Sequence, residues 1–168
     1  MKIFGLAWIA VILVVSGPGL AQQQSNADAN LFLAPEHIAI AQRFVPALRA
    51  MSAQGKEQTR AFLATHEVSF GAATQILSNI SIAYSAIKFE EFVKNLEGQL
   101  DKKDRRYQDL LAGSRKQLDE ITARHRRAVR NGRSALQVNV EIVSKNMQAV
   151  EEIIAEIRDV KVDSLPAE

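Results

Sequence analysis

From Leu100 to Lys161 the chain carries two series of positions spaced in alternating steps of four and three. The first runs through Leu100, Asp104, Tyr107, Leu111, Ser114, Leu118, Ile121, His125 and Ala128. The second runs through Leu136, Val140, Val143, Met147, Val150, Ile154, Ile157 and Lys161, and only its last position is polar. A mean period of about 3.5 residues keeps one stripe of each helix facing a partner, which is the coiled-coil pattern.

The junction supports a turn between two helices. Asn131-Gly132 gives a helix stop, with glycine free to adopt the left-handed conformation beyond the last turn. Ser134 followed three residues later by Gln137 predicts a capping box for the next helix. Arg124, Arg126, Arg127 and Arg130 fall where the first helix ends, and the helix dipole favours cations there. A connection this short implies antiparallel neighbours. The pattern therefore predicts a coiled-coil hairpin over 100–162, turning at 131–133. Folding it about Gly132 sets Ala128 opposite Leu136, Ile121 opposite Val143 and Leu118 opposite Met147. Leu111 then meets Ile154, Tyr107 meets Ile157, Asp104 lies opposite Lys161, and Lys145 can pair with Glu120. Leu118, Ile121, Val143, Met147, Val150 and Ile154 form the candidate interaction seam.

The chain before the hairpin reads as an apolar helical body over 35–98. Pro35 suits the first turn of a helix, and Ile38, Ala41, Val45, Leu48 and Met51 recur at helical spacing. Pro46 lies inside that run and removes one backbone donor, so a kink is expected. Gly55 closes the segment, and a short helix follows from about 57 to 66. Between Ser69 and Leu96, Phe70, Ala73, Ile76, Leu77, Ile80, Ala83, Tyr84, Ile87 and Phe92 cover a face wide enough to be buried on several sides. A helix unbroken from Ser69 to Arg130 would be about 90 Å long, so a break is expected at Gly98 or Gly113. No convincing strand appears. The expected fold is all-α, a helical bundle with a C-terminal antiparallel coiled-coil hairpin, in one domain over 35–168.

The first residues do not belong to that domain. Lys2, the uncharged and almost wholly apolar stretch from Ile3 to Val15, the helix-breaking Pro18 and the small residues of Gly19-Leu20-Ala21 match a signal peptide over 1–21. That stretch is shorter than the about 20 residues needed to span a bilayer. The mature chain then starts at Gln22, and the polar, aperiodic stretch from Gln22 to Asn30 extends into a disordered leader over 22–34. No later segment is long and apolar enough to form a transmembrane span. The chain has 168 residues and no cysteine, so its stability must come from buried apolar surface rather than disulfides. It is expected to be secreted, into the extracellular space or a bacterial periplasm.

The formal net charge of +2 points to no particular partner. Its distribution is uneven: residues 102–133 hold 11 basic and 4 acidic side chains, and residues 134–168 hold 3 and 7. Helix capping and pairing across the hairpin account for that asymmetry. The arginines lack the interleaved aromatics of a nucleic-acid surface, so nucleic acid is disfavoured. His37, His66 and His125 show no metal-ligand spacing, and no phosphate loop or nucleophile motif is present. Asn79-Ile80-Ser81 is formally a glycosylation sequon but lies in the most apolar helix. The sequence thus predicts no catalytic, cofactor-binding or metal residues, no cofactor and no enzymatic activity. The expected function is contact with a protein partner or self-association. The alternative is a carrier or surface binder of lipids or other apolar ligands, which the wide face around Ile76, Ile80, Tyr84 and Ile87 would hold.

Overall fold

Pro35 opens the first helix, α1 (Pro35–Gln54), where its missing N–H costs nothing. Glu36 adds negative charge to the first turn, and the His37 N–H donates to the Ala34 carbonyl at 3.0 Å. The computed structural model describes residues 31–54, 61, 64–65 and 69–158. The signal peptide predicted over 1–21, the leader up to Asn30, most of the helix predicted over 57–66, and Lys161 lie outside the described residues. α1 runs through the exposed Pro46 as a single helix and buries Ile38, Ala41, Phe44, Val45 and Leu48. Phe44 was not anticipated, because it sits beside the stripe of its helix rather than on it.

The second helix, α2 (Phe70–Gln99), is capped by Ser69, whose hydroxyl accepts from the Ala72 N–H at 3.1 Å. It buries Ala73, Ile76, Leu77, Ile80, Ala83 and Tyr84, the wide face read from the sequence. The expected break follows Gly98. Leu100 leaves the helix in an extended conformation, and Asp101 accepts from the Lys103 N–H at 2.9 Å. Asp104 then caps the third helix, α3 (Arg105–Arg127), by accepting from the Arg106 N–H at 2.8 Å. Leu100 and Asp104 are therefore helix caps, not seam positions.

Gly113 lies within α3, and a methyl group added there would meet nothing within 4 Å. Helical glycine is less favourable than alanine by about 1 kcal/mol. Gly113→Ala should therefore raise the melting temperature by about 3 °C in a thermal scan.

α3 runs antiparallel to α2. Tyr107 Oη donates to Glu97 Oε1 at 3.4 Å at one end, and His125 Nε2 lies 2.5 Å from Asn79 Oδ1 at the other. The predicted turn at 131–133 is a small β-hairpin. β1 (Val129–Arg130) pairs antiparallel with β2 (Arg133–Ser134), joining Val129 to Ser134 and Arg130 to Arg133. Asn131 (φ 52°) and Gly132 (φ 74°) both take positive φ, which is the requirement of a two-residue type I′ turn. This corrects the register. The turn centres between Asn131 and Gly132, and the Ala135 N–H donates to the Ala128 carbonyl at 2.7 Å, so Ala128 faces Ala135 rather than Leu136.

The fourth helix, α4 (Ala135–Lys145), begins with the predicted capping box: the Ser134 N–H donates to Gln137 Oε1 at 2.8 Å, and the Gln137 N–H donates to Ser134 Oγ at 3.3 Å. It stops at Asn146 (φ −120°, ψ 28°), whose side-chain amide donates to the Ile142 carbonyl at 2.8 Å. The fifth helix, α5 (Met147–Arg158), then packs chiefly against α1.

The described residues therefore do not form one coiled-coil hairpin over 100–162. α3 and α4 pair near the turn, but beyond Asn146 the apolar residues of α5 turn away from α3. The physical reason is that the second series is apolar on more than one stripe. Ile142, Ala149 and Ile153 join Val143, Val150 and Ile154 in one core with α1 and α2. α3 offers only a narrow apolar stripe and cannot cover so wide a face. The expected flanking pairs change accordingly: Lys145 binds Glu141 at 2.6 Å rather than Glu120, and Asp104 binds Arg106 at 2.7 Å. α3 buries Tyr107 and Leu118 outside the main core. Among the described residues no helix is long and apolar enough to cross a membrane.

Candidate functional site

The six predicted seam residues divide between two environments. Val143, Val150 and Ile154 are buried in the main core, and Met147 packs partly buried against it. Leu118 is buried on α3, away from that core, and Ile121 is half-buried nearby. They therefore do not form a single exposed seam, and four of them are occupied in holding α4 and α5 to the body.

The most developed polar arrangement lies beside the hairpin tip, and the sequence did not single it out. Asn139 on α4 is wholly buried. Its Oδ1 accepts from the Leu33 N–H at 2.7 Å, and its Nδ2 donates to the Leu31 carbonyl at 2.6 Å. One side-chain amide thus satisfies a main-chain donor and acceptor on either side of Phe32. Leu31 and Leu33 are themselves buried, and the Arg130 guanidinium sits 4.4 Å from the centre of the Phe32 ring, a cation–π distance. This corrects the extent of the leader. Residues 31–34, expected to be disordered, are held in place because Asn139 completes their hydrogen bonds and the body covers both leucines.

The tip itself mixes apolar and charged groups. Val129 is 62% exposed. Arg126 pairs with Asp119 at 2.9 Å, and Arg133 with Glu141 at 2.5 Å. Lys145 and Arg133 together draw the Glu141 carboxyl down to about 2. These pairs are local, within α3 or after the turn, rather than across the hairpin as the charge asymmetry suggested.

At the base of the tip, His125 is buried against Asn79 rather than partly exposed at a seam end. Asn79 Oδ1 can only accept, so the neutral ring carries its proton on Nε2. Nδ1 is then a bare acceptor, buried with no hydrogen-bond partner among the described residues. Burial, and to a lesser degree the positive charge of Arg124, lowers the His125 pKa from 6.5 to about 4. Asn79, 4% exposed, offers a glycosylating enzyme no access in the folded chain. Thr122, also buried, donates to the Leu118 carbonyl at 2.7 Å.

The sign of the pH effect follows from His125. Its folded-state pKa lies below its unfolded one, so stability is complete above about pH 6.5 and falls as the pH drops towards 4. His37, also lowered by burial, acts in the same direction. Denaturant unfolding at pH 7.5 and 4.5 should show a smaller acid loss for His125→Gln, which keeps an N–H for Asn79 but cannot titrate. Equal losses in the two proteins would mean that His125 is not the sensor.

His37 Nδ1 accepts from the Ala34 N–H at 3.0 Å, and so serves the start of α1. His66 lies outside the described residues. Among the described residues no three His, Asp or Glu side chains converge in a way that could hold a metal ion. What the arrangement around Asn139 does is hold the chain's own residues 31–33 by their main chain. Comparison with protein-family models, with curated proteins and with solved structures gives no match.

Proposed function

We propose that this chain is an exported, non-enzymatic helical protein that acts through protein–protein contacts or self-association. One observation carries the reading: the apolar face a lipid carrier would use is already filled. Ile76, Ile80, Ala83 and Tyr84 lie buried in the core shared with α1, α4 and α5. Opening that face to an apolar ligand would require α1 or α4 to leave, at a cost comparable to unfolding. What the fold presents outward instead is the turn between α3 and α4, with the exposed Val129 flanked by arginines. A small apolar residue within a charged rim suits contact with another protein surface. On this reading the hairpin retains the contact role expected of it, exercised through its tip rather than through a long seam.

The test uses the chain from Gln22 onward in its native state. A contact protein should bind neither a hydrophobic dye nor neutral or anionic liposomes until denaturant unfolds it. Saturable liposome or dye binding by the native form would establish the carrier reading in its place. Protein recovered from its native source should begin at Gln22, and retention of Met1 would point to an anchored form.

A further inference from the structure

We propose that acid releases α3 from α2 while α1, α2, α4 and α5 stay folded, with His125 as the trigger. The proposal goes beyond the contact reading above and stands without it. No residue of α3 belongs to the main core. The helix is held to α2 by a separate, narrower seam. Tyr107 meets Glu97 at one end of it, and His125 meets Asn79 at the other. These contacts lie 18 residues apart on each helix, which is five turns, so a single face of α2 meets a single face of α3. From Asn79 that face of α2 continues in steps of three and four through Ile82, Ala86, Phe89, Val93 and Leu96. Ile82 and Leu96 are buried outside the main core. α3 answers with four buried residues, Tyr107, Leu118, Thr122 and His125. Leu118 is the one aliphatic side chain among them, and the Thr122 hydroxyl is engaged by a carbonyl of its own helix. Detaching α3 therefore opens a small satellite cluster and leaves the core of the other four helices in place.

The link between His125 and Asn79 admits only a neutral ring. Nε2–H donates to Asn79, and a proton added at the buried Nδ1 would bring a second N–H with no acceptor, together with a full charge. No carboxylate is placed to receive it. α2 carries no charged side chain from Phe70 to Ile87, and Tyr84 is its one titratable group there. On α4, Glu141 is held by Arg133 and Lys145. The two strands contribute only the cations Arg130 and Arg133. On α3 itself Arg124, Arg126 and Arg127 surround the position, Asp119 is engaged by Arg126, and Glu120 points to solvent five residues back. Burial holds the His125 pKa at about 4 while α3 is docked, and release returns the ring towards 6.5, so release becomes easier as the pH falls through that range. A freed α3 has little to keep it helical, because a polar helix of 23 residues containing Gly113 is marginal in water by itself.

Residue-resolved amide exchange at pH 7.5 and pH 5, corrected for the intrinsic rates, tests this on the chain from Gln22 onward. The amides of Ile121, Thr122 and His125 should be at least about tenfold less protected than those of Ile80 and Val143 at pH 5, the mark of an opening smaller than global unfolding. Their opening should also grow at least about tenfold between the two pH values. In His125→Gln, which keeps a donor for Asn79 and cannot titrate, that growth should disappear. If α3 and the core share one protection at pH 5, opening is global and the proposal is overturned. It is equally overturned if α3 opens to the same extent at both pH values, or if His125→Gln leaves the acid response unchanged. Should His125→Gln fail to fold, Asn79→Asp replaces it. A carboxylate against the ring stabilises the charged form in the docked state, so the acid response should shrink, and an unchanged response overturns the proposal. Should neither variant fold, the wild-type comparison of α3 with Ile80 and Val143 decides by itself.

Discussion

Val143→Asp should unfold the protein or bring it to the edge of unfolding. Val143 is fully buried, and it lies in the core where α4 packs on α2. The substitution removes its apolar contacts and places a carboxylate among aliphatic side chains with no cation in that core to pair with it. An uncompensated buried charge costs about 3 to 5 kcal/mol, and the lost apolar burial adds about 1.5 kcal/mol. That approaches the whole stability of a small domain, about 5 to 15 kcal/mol. Circular dichroism during urea unfolding should show either no cooperative transition or a midpoint far below that of the native chain. Gln148→Asp, one turn along on the exposed side of α5, should shift the midpoint little. A silent Val143→Asp would mean that α4 does not sit where the core places it.

The second large effect should come from Asn139→Ala, and its character should differ. Loss of the amide leaves the Leu33 N–H and the Leu31 carbonyl buried without partners. Each such group costs about 1 to 3 kcal/mol. The penalty has an upper limit, because residues 31–34 can lift away and find water instead. The expected result is therefore a loss of about 2 to 4 kcal/mol in global stability, with Leu33 amide protection abolished and the protection of Ile80 and Val143 reduced only in proportion to the global loss. Asn139→Asp should be nearly as damaging. A carboxylate can still accept from the Leu33 N–H, but it meets the Leu31 carbonyl with a second acceptor. Retained Leu33 protection in either variant would show that Asn139 is not what holds the segment.

How much of this was legible in the sequence depends on which force set each feature. Local chemistry was readable. The Ser134–Gln137 box, the α1 start at Pro35 and the buried face of α2 each follow from a few neighbouring residues whose preferences agree, whereas the break was expected at Gly98 or Gly113 and only the structure places it after Gly98. The Asn-Gly turn was placed correctly but its type was not, since the same dipeptide serves a helix stop and a type I′ hairpin. The partner of each face was not readable. Val150 and Ile154 keep the spacing of a coiled coil, yet that spacing says only that a stripe is buried, not what buries it. α2 and α1 outbid α3 because they offer more apolar area, a comparison between distant segments that no local pattern contains. Asn139 was missed for the same reason. Its signal was a lone amide in the apolar run Val138-Asn139-Val140, which marks a buried polar group but does not name Leu31 and Leu33 as its partners. His125 sat at the end of the seam, where partial exposure is the expectation, and it is buried because α2 brings Asn79 against its ring.

The distance along the chain between Leu33 and Asn139 has a consequence for the order in which the molecule can fold. α1 is covered mainly by α5, and the segment before it is closed by α4, so the first helix described has its partners near the far end of the chain. Contacts of such long sequence separation cannot form until the intervening chain is available, and they slow folding relative to a bundle of neighbouring helices. The main packing partners of α1 and of the segment before it therefore become available only when the later helices have been made. For a chain that is exported, as proposed here, closure of α1 against α5 would then be completed only after the C-terminal helices had crossed.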